Sequence, residues 1–361
     1  MVGKKVLTVI IPTYNMEKYL HKCLESLVIS ERNMEYVEIL VINDGSTDAS
    51  SEIAHVFETK YPKSFRVIDK VNGNYGSCIN RGVLESTGKY IKILDADDSF
   101  IAANFDLFID FLLTTDSDLI INDYCSVNDK GEILESYNFQ LPFEKVFTLD
   151  DMSDNTIGWL AMHGITHKRN NLLKINYKQT EGIPYTDEQW VIEPTAFAET
   201  ISYFPHDLYL YLIGREGQTV DPKILKKNFS KRIIVIKSLV TFFSLNAHNC
   251  TYSSKRYLTN KIRDKIDLVY RFYLLKSGIH KTLTELIEFD DFLSNTSTEL
   301  YHLSDECTNV FGQKYIKLWR ESGFRQNYIV SIIYSVKHRV NRIFTNKIKT
   351  THMPLRDKRH E

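Results

Sequence analysis

Gly88-Lys89-Tyr90-Ile91-Lys92-Ile93-Leu94-Asp95-Ala96-Asp97-Asp98 runs from strand-forming residues straight into three carboxylates. Tyr90, Ile91, Ile93 and Leu94 favour an alternating, partly buried strand, whereas Asp95, Asp97 and Asp98 cannot continue a buried strand without partners for their charge. The stretch reads as a strand that delivers negative charge to a sheet edge. Two carboxylates one residue apart at a strand end can hold one hard cation, directly or through water, and that cation can hold the phosphates of a nucleotide. The same residues also suit an acidic turn in which Asp98-Ser99 caps a helix beginning at Phe100-Ile101. The rest of the chain decides between these.

Upstream, Val6 to Ile11 is a continuous apolar run closed by Pro12, as in a parallel strand buried on both faces, with Thr13-Tyr14-Asn15 as the turn after it. Apolar residues at helical spacing predict a helix over 17–28. Val37 to Ile42 is a second buried strand, ending in Asn43-Asp44-Gly45-Ser46-Thr47-Asp48; Ile53, Ala54, Val56 and Phe57 mark the next helix. Phe65 to Ile68 is a third strand, Asn72-Gly73-Asn74-Tyr75-Gly76 a glycine-rich loop, and 77–86 a helix before the fourth strand. Strand and helix alternate four times, which means an open α/β sheet. Ligands of such sheets bind beyond the carboxyl ends of the strands, where all four polar loops fall. Each loop alone also suits an ordinary turn, and neither G-x-G-x-x-G nor a Walker pattern is present. Their spacing as successive strand ends of one sheet favours a site.

Ile10-Ile11-Pro12-Thr13-Tyr14-Asn15, Ile42-Asn43-Asp44-Gly45-Ser46-Thr47-Asp48, Asn72-Gly73-Asn74-Tyr75-Gly76-Ser77, Gly82, Thr87-Gly88-Lys89-Tyr90 and Asp95-Ala96-Asp97-Asp98 resemble, in order and spacing, the family 2 glycosyltransferases of the GT-A fold. The resemblance covers about residues 6–220. It implies a nucleotide-sugar site with Pro12, Thr13, Tyr14 and Asp44 around base and ribose, Asn72 near the base, and Asp95-Ala96-Asp97 as the Asp-x-Asp element, Asp95 and Asp97 holding Mn2+ or Mg2+ on the diphosphate. Two departures stand out. The family often has two aspartates where Asn43-Asp44 stands, and often Ala-Arg-Asn where this chain has Cys78-Ile79-Asn80. The arginine missing at Ile79 leaves one nucleotide contact open, with Arg81 as a candidate replacement.

Downstream, 105–113 reads as a helix, 119–121 and 124–127 as strands, Asn128-Asp129-Lys130-Gly131 as a hairpin turn before Ile133, and 137–154 as loop. His163 and His167, four apart, read as structural or substrate-lining rather than metal-binding, since no third ligand accompanies them. Tyr185-Thr186-Asp187-Glu188-Gln189-Trp190 places two carboxylates where a helix begins, a pattern the helix dipole favours in any protein. The resemblance implies more: Asp187, with Glu188 beside it, matches the family's acidic catalytic motif, whose Asp is the general base, although Thr186 stands where Glu is common. Tyr209 to Ile213 is a strand leading to Arg215 and Thr219, which resemble the arginine and hydroxyl that reach the diphosphate in some relatives. From Pro222 the pattern is helical: one helix over Ile224 to Phe243, another over Ile262 to Leu274, and a last over about 327–346 whose apolar stripe suits either the protein's own core or a membrane surface.

Bulk properties set the frame. The chain has 361 residues, 43% apolar and 25% charged, which predicts two or three globular units. Formal net charge is −1, with no sign of a nucleic-acid partner, but 322–361 carries nine Lys/Arg against two acidic residues, leaving −8 on the first 321. Five scattered cysteines without C-x-x-C suit a reduced, cytoplasmic protein. The first apolar run ends too early for a signal peptide, and none approaches the length that spans a bilayer, so any membrane contact is expected to be peripheral. The expected architecture is thus a GT-A domain over 1–220, split near residue 100 into nucleotide-sugar and acceptor halves, and a helical region over 221–361. The expected activity is inverting transfer from a nucleoside diphosphate sugar, UDP-linked, to a glycan, lipid-linked or protein acceptor at the inner face of the membrane. A non-catalytic nucleotide-binding scaffold and a sugar nucleotidyltransferase remain alternatives.

Overall fold

The computed structural model describes residues 5–153, 156, 158, 160–215, 218, 222–275 and 283–323. Leu7–Thr13 (β1), Val37–Asn43 (β2), Phe65–Asp69 (β3) and Tyr90–Ile93 (β4) form a parallel set in the order β3-β2-β1-β4. Leu20–Glu25 (α1), Glu31–Met34 (α2), Ser50–Lys60 (α3) and Asn74–Glu85 (α4) make the connections. β1 and β2 are buried nearly throughout, as their mostly apolar sequences require, and Thr8 of β1 donates to the buried Glu38 of β2 (2.6 Å). After β3 the chain returns to the far side of β1, so β1 and β4 flank the point where strand order reverses. Gly82 lets α4 lie directly on β1: a Cβ there would come within 2.6 Å of the Ile10 side chain.

Beyond β4 the sheet continues as β8-β6-β9-β5, made of Ile165–Lys168 (β8), Leu119–Val127 (β6), Ile201–Leu212 (β9) and Ser99–Phe100 (β5), with Ile133–Tyr137 (β7) paired to β6. β8 runs antiparallel to both β4 and β6, and β9 is parallel to β6. Ala102–Thr114 (α5) packs on β9 through Phe108 and Phe204, whose rings lie 5.1 Å apart. Further helices are Arg169–Lys174 (α6), Asp187–Ile192 (α7), Pro222–Lys227 (α8), Phe229–Asn246 (α9) and Tyr252–Tyr270 (α10).

Several expectations need correction. β4 is buried throughout rather than alternating, because the Lys92 ammonium, fully buried, donates to Asn122 Oδ1 (2.9 Å), His163 O (2.9 Å) and Ile165 O (3.2 Å). The two short strands expected after residue 119 are one, β6. Its polar Asn122 and Asp123 stay buried because Asn122 accepts from Lys92 and Asp123 accepts from Tyr203 OH (2.7 Å), and a shift of register against β9 falls at this point. The glycine-rich loop is shorter than read, since α4 already begins at Asn74. Asp98-Ser99 does not cap a helix: Ser99–Phe100 pairs with β9, and α5 starts at Ala102. The helix expected from Ile224 to Phe243 is broken at Asn228, and α10 begins ten residues before Ile262.

The chain forms two compact units, 1–258 and 259–361. The first holds the sheet and also α8 and α9, so the sheet-bearing unit extends past residue 220. In the second, Thr284–Thr296 (α11), Thr298–Ser304 (α12) and Tyr315–Glu321 (α13) bury Leu286, Phe289, Leu300 and Trp319. There Arg320 bridges Asp290 and Asp305 (both 2.7 Å) above the Tyr301 ring. The expected helix at 327–346 lies outside the described residues. Among the described residues, no helix is long and apolar enough to cross a membrane.

Candidate active site

At the reversal point a cavity of about 390 Å³ opens beyond the strand ends, lined by Pro12, Asp95, Ala96, Asp97 and Arg215 together with Asp187, Glu188 and Arg232. Pro12 belongs to β1, and the aspartates follow β4 within four residues, so the turn after a buried strand fixes them. Carboxylate oxygens of Asp95, Asp97 and Asp98 all lie within 4.8 Å of one another. Their surroundings differ. Asp98 is committed internally: Tyr209 OH donates to its Oδ2 (2.6 Å) and Leu212 N–H to its Oδ1 (2.7 Å), which ties the loop to β9. Asp95 accepts from Tyr75 OH (3.0 Å). Asp97 is paired with the guanidinium of Arg215, which also lies over the Tyr19 ring at 5.6 Å.

Burial first, and the charge of Asp97 second, push the Asp95 carboxyl up to about 7; burial and the same neighbour raise Asp98 as well. Crowded, desolvated carboxylates of this kind favour a cation. Asp95 and Asp97, each with an oxygen beyond those engaged by Tyr75 and Arg215, suit a hard divalent ion.

A second group of lining residues is built on α7. Tyr185 adopts φ +70°, a strained conformation for an aromatic residue, and turns the chain into the helix whose first residues are Asp187 and Glu188. Glu188 accepts from Arg232 of α9 at 2.5 Å, and the same guanidinium stands 5.9 Å from the centre of the Tyr185 ring. His163 lines the cavity, stacked on Tyr211 at 4.3 Å, while His167 is buried with Nε2 against Trp190 O (3.0 Å). Burial, aided by the Lys92 charge, holds each imidazole down to about 3, so both are neutral. These are the lining and structural roles read from sequence.

Other expected residues lie off the cavity wall. Thr13, Asp44 and Asn72 form a linked set at the same sheet edge: Asp44 N–H donates to Thr13 O (2.8 Å), and Asn72 Nδ2 to Asp44 O (3.0 Å). The Asp44 carboxylate, 3% exposed, is occupied by Lys70 Nζ (2.6 Å) and Gly73 N–H (2.9 Å), whereas Tyr14 is exposed. The Asn43 departure has a local cause, because its Nδ2 donates to Asp69 Oδ1 (2.7 Å), where a second aspartate would meet like charge. Ile79 is buried in α4, and Arg81 pairs with Glu85 (2.9 Å) and does not line the cavity. Thr219 lies outside the described residues. Sequence reading missed Tyr75, Tyr211 and Arg232 as wall residues. Tyr75 stood inside a quoted motif, but nothing in the helical pattern of 224–243 marked Arg232.

Residues 8–133 match the model of glycosyl transferase family 2. That stretch belongs to the family. An uncharacterized glycosyltransferase of Escherichia coli, YibD, is 30% identical over 220 residues, 57% of this chain and 61% of that protein. Another of Mycoplasma genitalium, MG025, is 36% identical over 141 residues, 38% of this chain and 46% of its own. The matches thus span under two thirds of these relatives. A crystal structure of S. aureus TarS 1-349 in complex with UDP-GlcNAc is 17% identical with a TM-score of 0.67, covering 93% of this chain and 92% of that one. The GT-A fold expected from the family 2 motifs is the fold observed.

Proposed function

We propose that this chain is an inverting glycosyltransferase that moves a sugar from a UDP-sugar to an acceptor hydroxyl of a cell-surface glycan, glycolipid or glycoprotein. The observation that carries the reading is that Asp95, Asp97, Arg215 and Asp187 line one cavity. In single displacement the acceptor oxygen attacks the anomeric carbon, the bond to the diphosphate breaks, and the acceptor proton passes to a base. Asp187 is that base, a role typically worth about 10²- to 10⁴-fold in rate. Arg215, beside Asp97, supplies positive charge to the diphosphate as it leaves. A divalent cation, Mn2+ or Mg2+, held by Asp97 and Asp95 would add charge neutralisation of the leaving group. Tyr75 fixes the Asp95 carboxylate through its hydroxyl.

The TarS complex with UDP-GlcNAc supports a UDP-linked donor, and a Bacillus subtilis relative described as a minor teichoic acid biosynthesis protein supports a cell-envelope acceptor. A cytoplasmic enzyme held to the inner membrane face by its basic tail accords with both. Screening UDP-sugars for hydrolysis with manganese, with and without acceptor, tests the reading. UDP release from one donor is the expected result. Pyrophosphate formed from UTP and a sugar phosphate would instead mark a nucleotidyltransferase, and binding without turnover a scaffold.

A further inference from the structure

Residues 222–237, which form α8 and the first half of α9, contain Lys223, Lys226, Lys227, Lys231, Arg232 and Lys237 and no acidic residue. This run of +6 stands within a 321-residue segment of net charge −8. It adjoins the cavity directly, since Leu225 of α8 and Arg232 of α9 line it together with Asp187. Lys226, Lys227 and Lys231 are exposed and join no ion pair among the described residues. Three exposed like charges within six residues repel one another, and an anionic ligand would offset that repulsion.

We propose that α8 and the start of α9 form the approach surface for an acceptor chain that itself carries negative charge, as phosphodiester or carboxylate groups, and leads its hydroxyl end into the cavity past Arg232. The acceptor role rests on the glycosyltransferase reading above; the anion-binding surface does not. Arg232 of α9 pairs with Glu188, the neighbour of the proposed base Asp187, and this adjacency argues for acceptor over donor. The field of such a patch reaches about 8–10 Å at physiological salt, enough to draw a polyanion to the opening.

The full-length protein and its Lys226→Glu/Lys227→Glu/Lys231→Glu variant are titrated with short-chain inorganic polyphosphate, uncharged dextran and phosphatidylglycerol vesicles. Polyphosphate is expected to bind the parent protein, the variant about a hundredfold more weakly, and dextran neither, with hydrolysis of the UDP-sugar unchanged in kcat and KM. The Gln triple variant should fall between them, which separates loss of charge from misfolding. Equal polyphosphate binding by parent and variant overturns the proposal. A raised KM for the donor alone would assign the lysines to the nucleotide, and a loss confined to vesicle binding would assign them to a membrane; either overturns it too. If the donor is never hydrolysed while the polyphosphate result holds, the glycosyltransferase reading fails and the anion surface stands.

Discussion

Two arginine–carboxylate pairs line the cavity, one on what we propose as its donor wall and one beside the proposed base on its acceptor wall. On the donor wall Arg215 sits on Asp97, the carboxylate proposed to hold the cation. On the acceptor wall Arg232 sits on Glu188, the neighbour of the proposed base. The first pair therefore sets a guanidinium charge against the proposed cation on the same carboxylate, whereas the second can persist through the reaction and keep the start of α7 in place. An ion pair at an active site is thus a competitor in one position and a brace in another.

Removing the contested carboxylate should have the largest effect. Asp97→Ala is expected to abolish turnover and metal-dependent UDP binding, since one oxygen ligand fewer leaves the diphosphate charge uncompensated; full activity at saturating donor would remove Asp97 from the donor wall. Next comes Asp187→Asn, which should leave donor binding near the parent value and lower kcat by about 10²- to 10⁴-fold, while Glu188→Gln costs far less. A reversed order in steady-state kinetics would make Glu188 the base and Arg232 its modulator, erasing the contrast between the walls.

Arg215→Ala gives a more moderate and two-sided effect. With the competing guanidinium gone, Mn2+ followed by electron paramagnetic resonance should bind the nucleotide-free protein about tenfold more tightly, while kcat falls. Weaker Mn2+ binding would mean that Arg215 organises Asp97 rather than occupying it.

The smallest effect is on stability and belongs to the acceptor half. His163 and His167, held down to about 3 by burial, stay neutral in the folded protein, whereas unfolded histidines protonate below about 6.5. Their contribution is complete above that pH and is lost as pH falls toward 3. Glu193, pushed up to about 8 by burial, has the opposite sign: its contribution is present below the ordinary carboxylate range and lost as pH rises through 8. The histidines thus give the melting temperature an acid limb between about pH 3 and 6.5, opposed by Glu193, Asp95 and Asp98, with each proton worth about 1.4 kcal/mol per pH unit. His167→Gln should flatten the acid limb; an unchanged limb would show the imidazole to be titratable in the fold.

The same contrast governs what the sequence discloses. β1 and β2 were legible because strands buried on both faces are mostly apolar runs, and β3 and β4 because the polar turns around them fall at regular intervals. The acceptor half is assembled from pairings such as Ser99 with Leu210 and Ile91 with His167, where no local period exists to be read. Asn122 and Asp123 looked like a strand break since their partners, Lys92 and Tyr203, are 30 and 80 residues away in the chain. Asp95, Asp97 and Asp187 stood out as carboxylates in special places, and the cavity unites them. Arg232 did not, for a basic residue on a helix carries no mark of what it will face.

The bond from Asp98 to Tyr209 and Leu212 has a consequence for how this fold tolerates change. It welds the aspartate loop to the last turn of β9, so that Gly214, at φ +100° and with open space around its Cα, is the first point after the weld where the chain can take a new direction. Arg215 stands one residue past that glycine, so its reach toward donors of different size can change there while Asp98 stays held beside the proposed cation site.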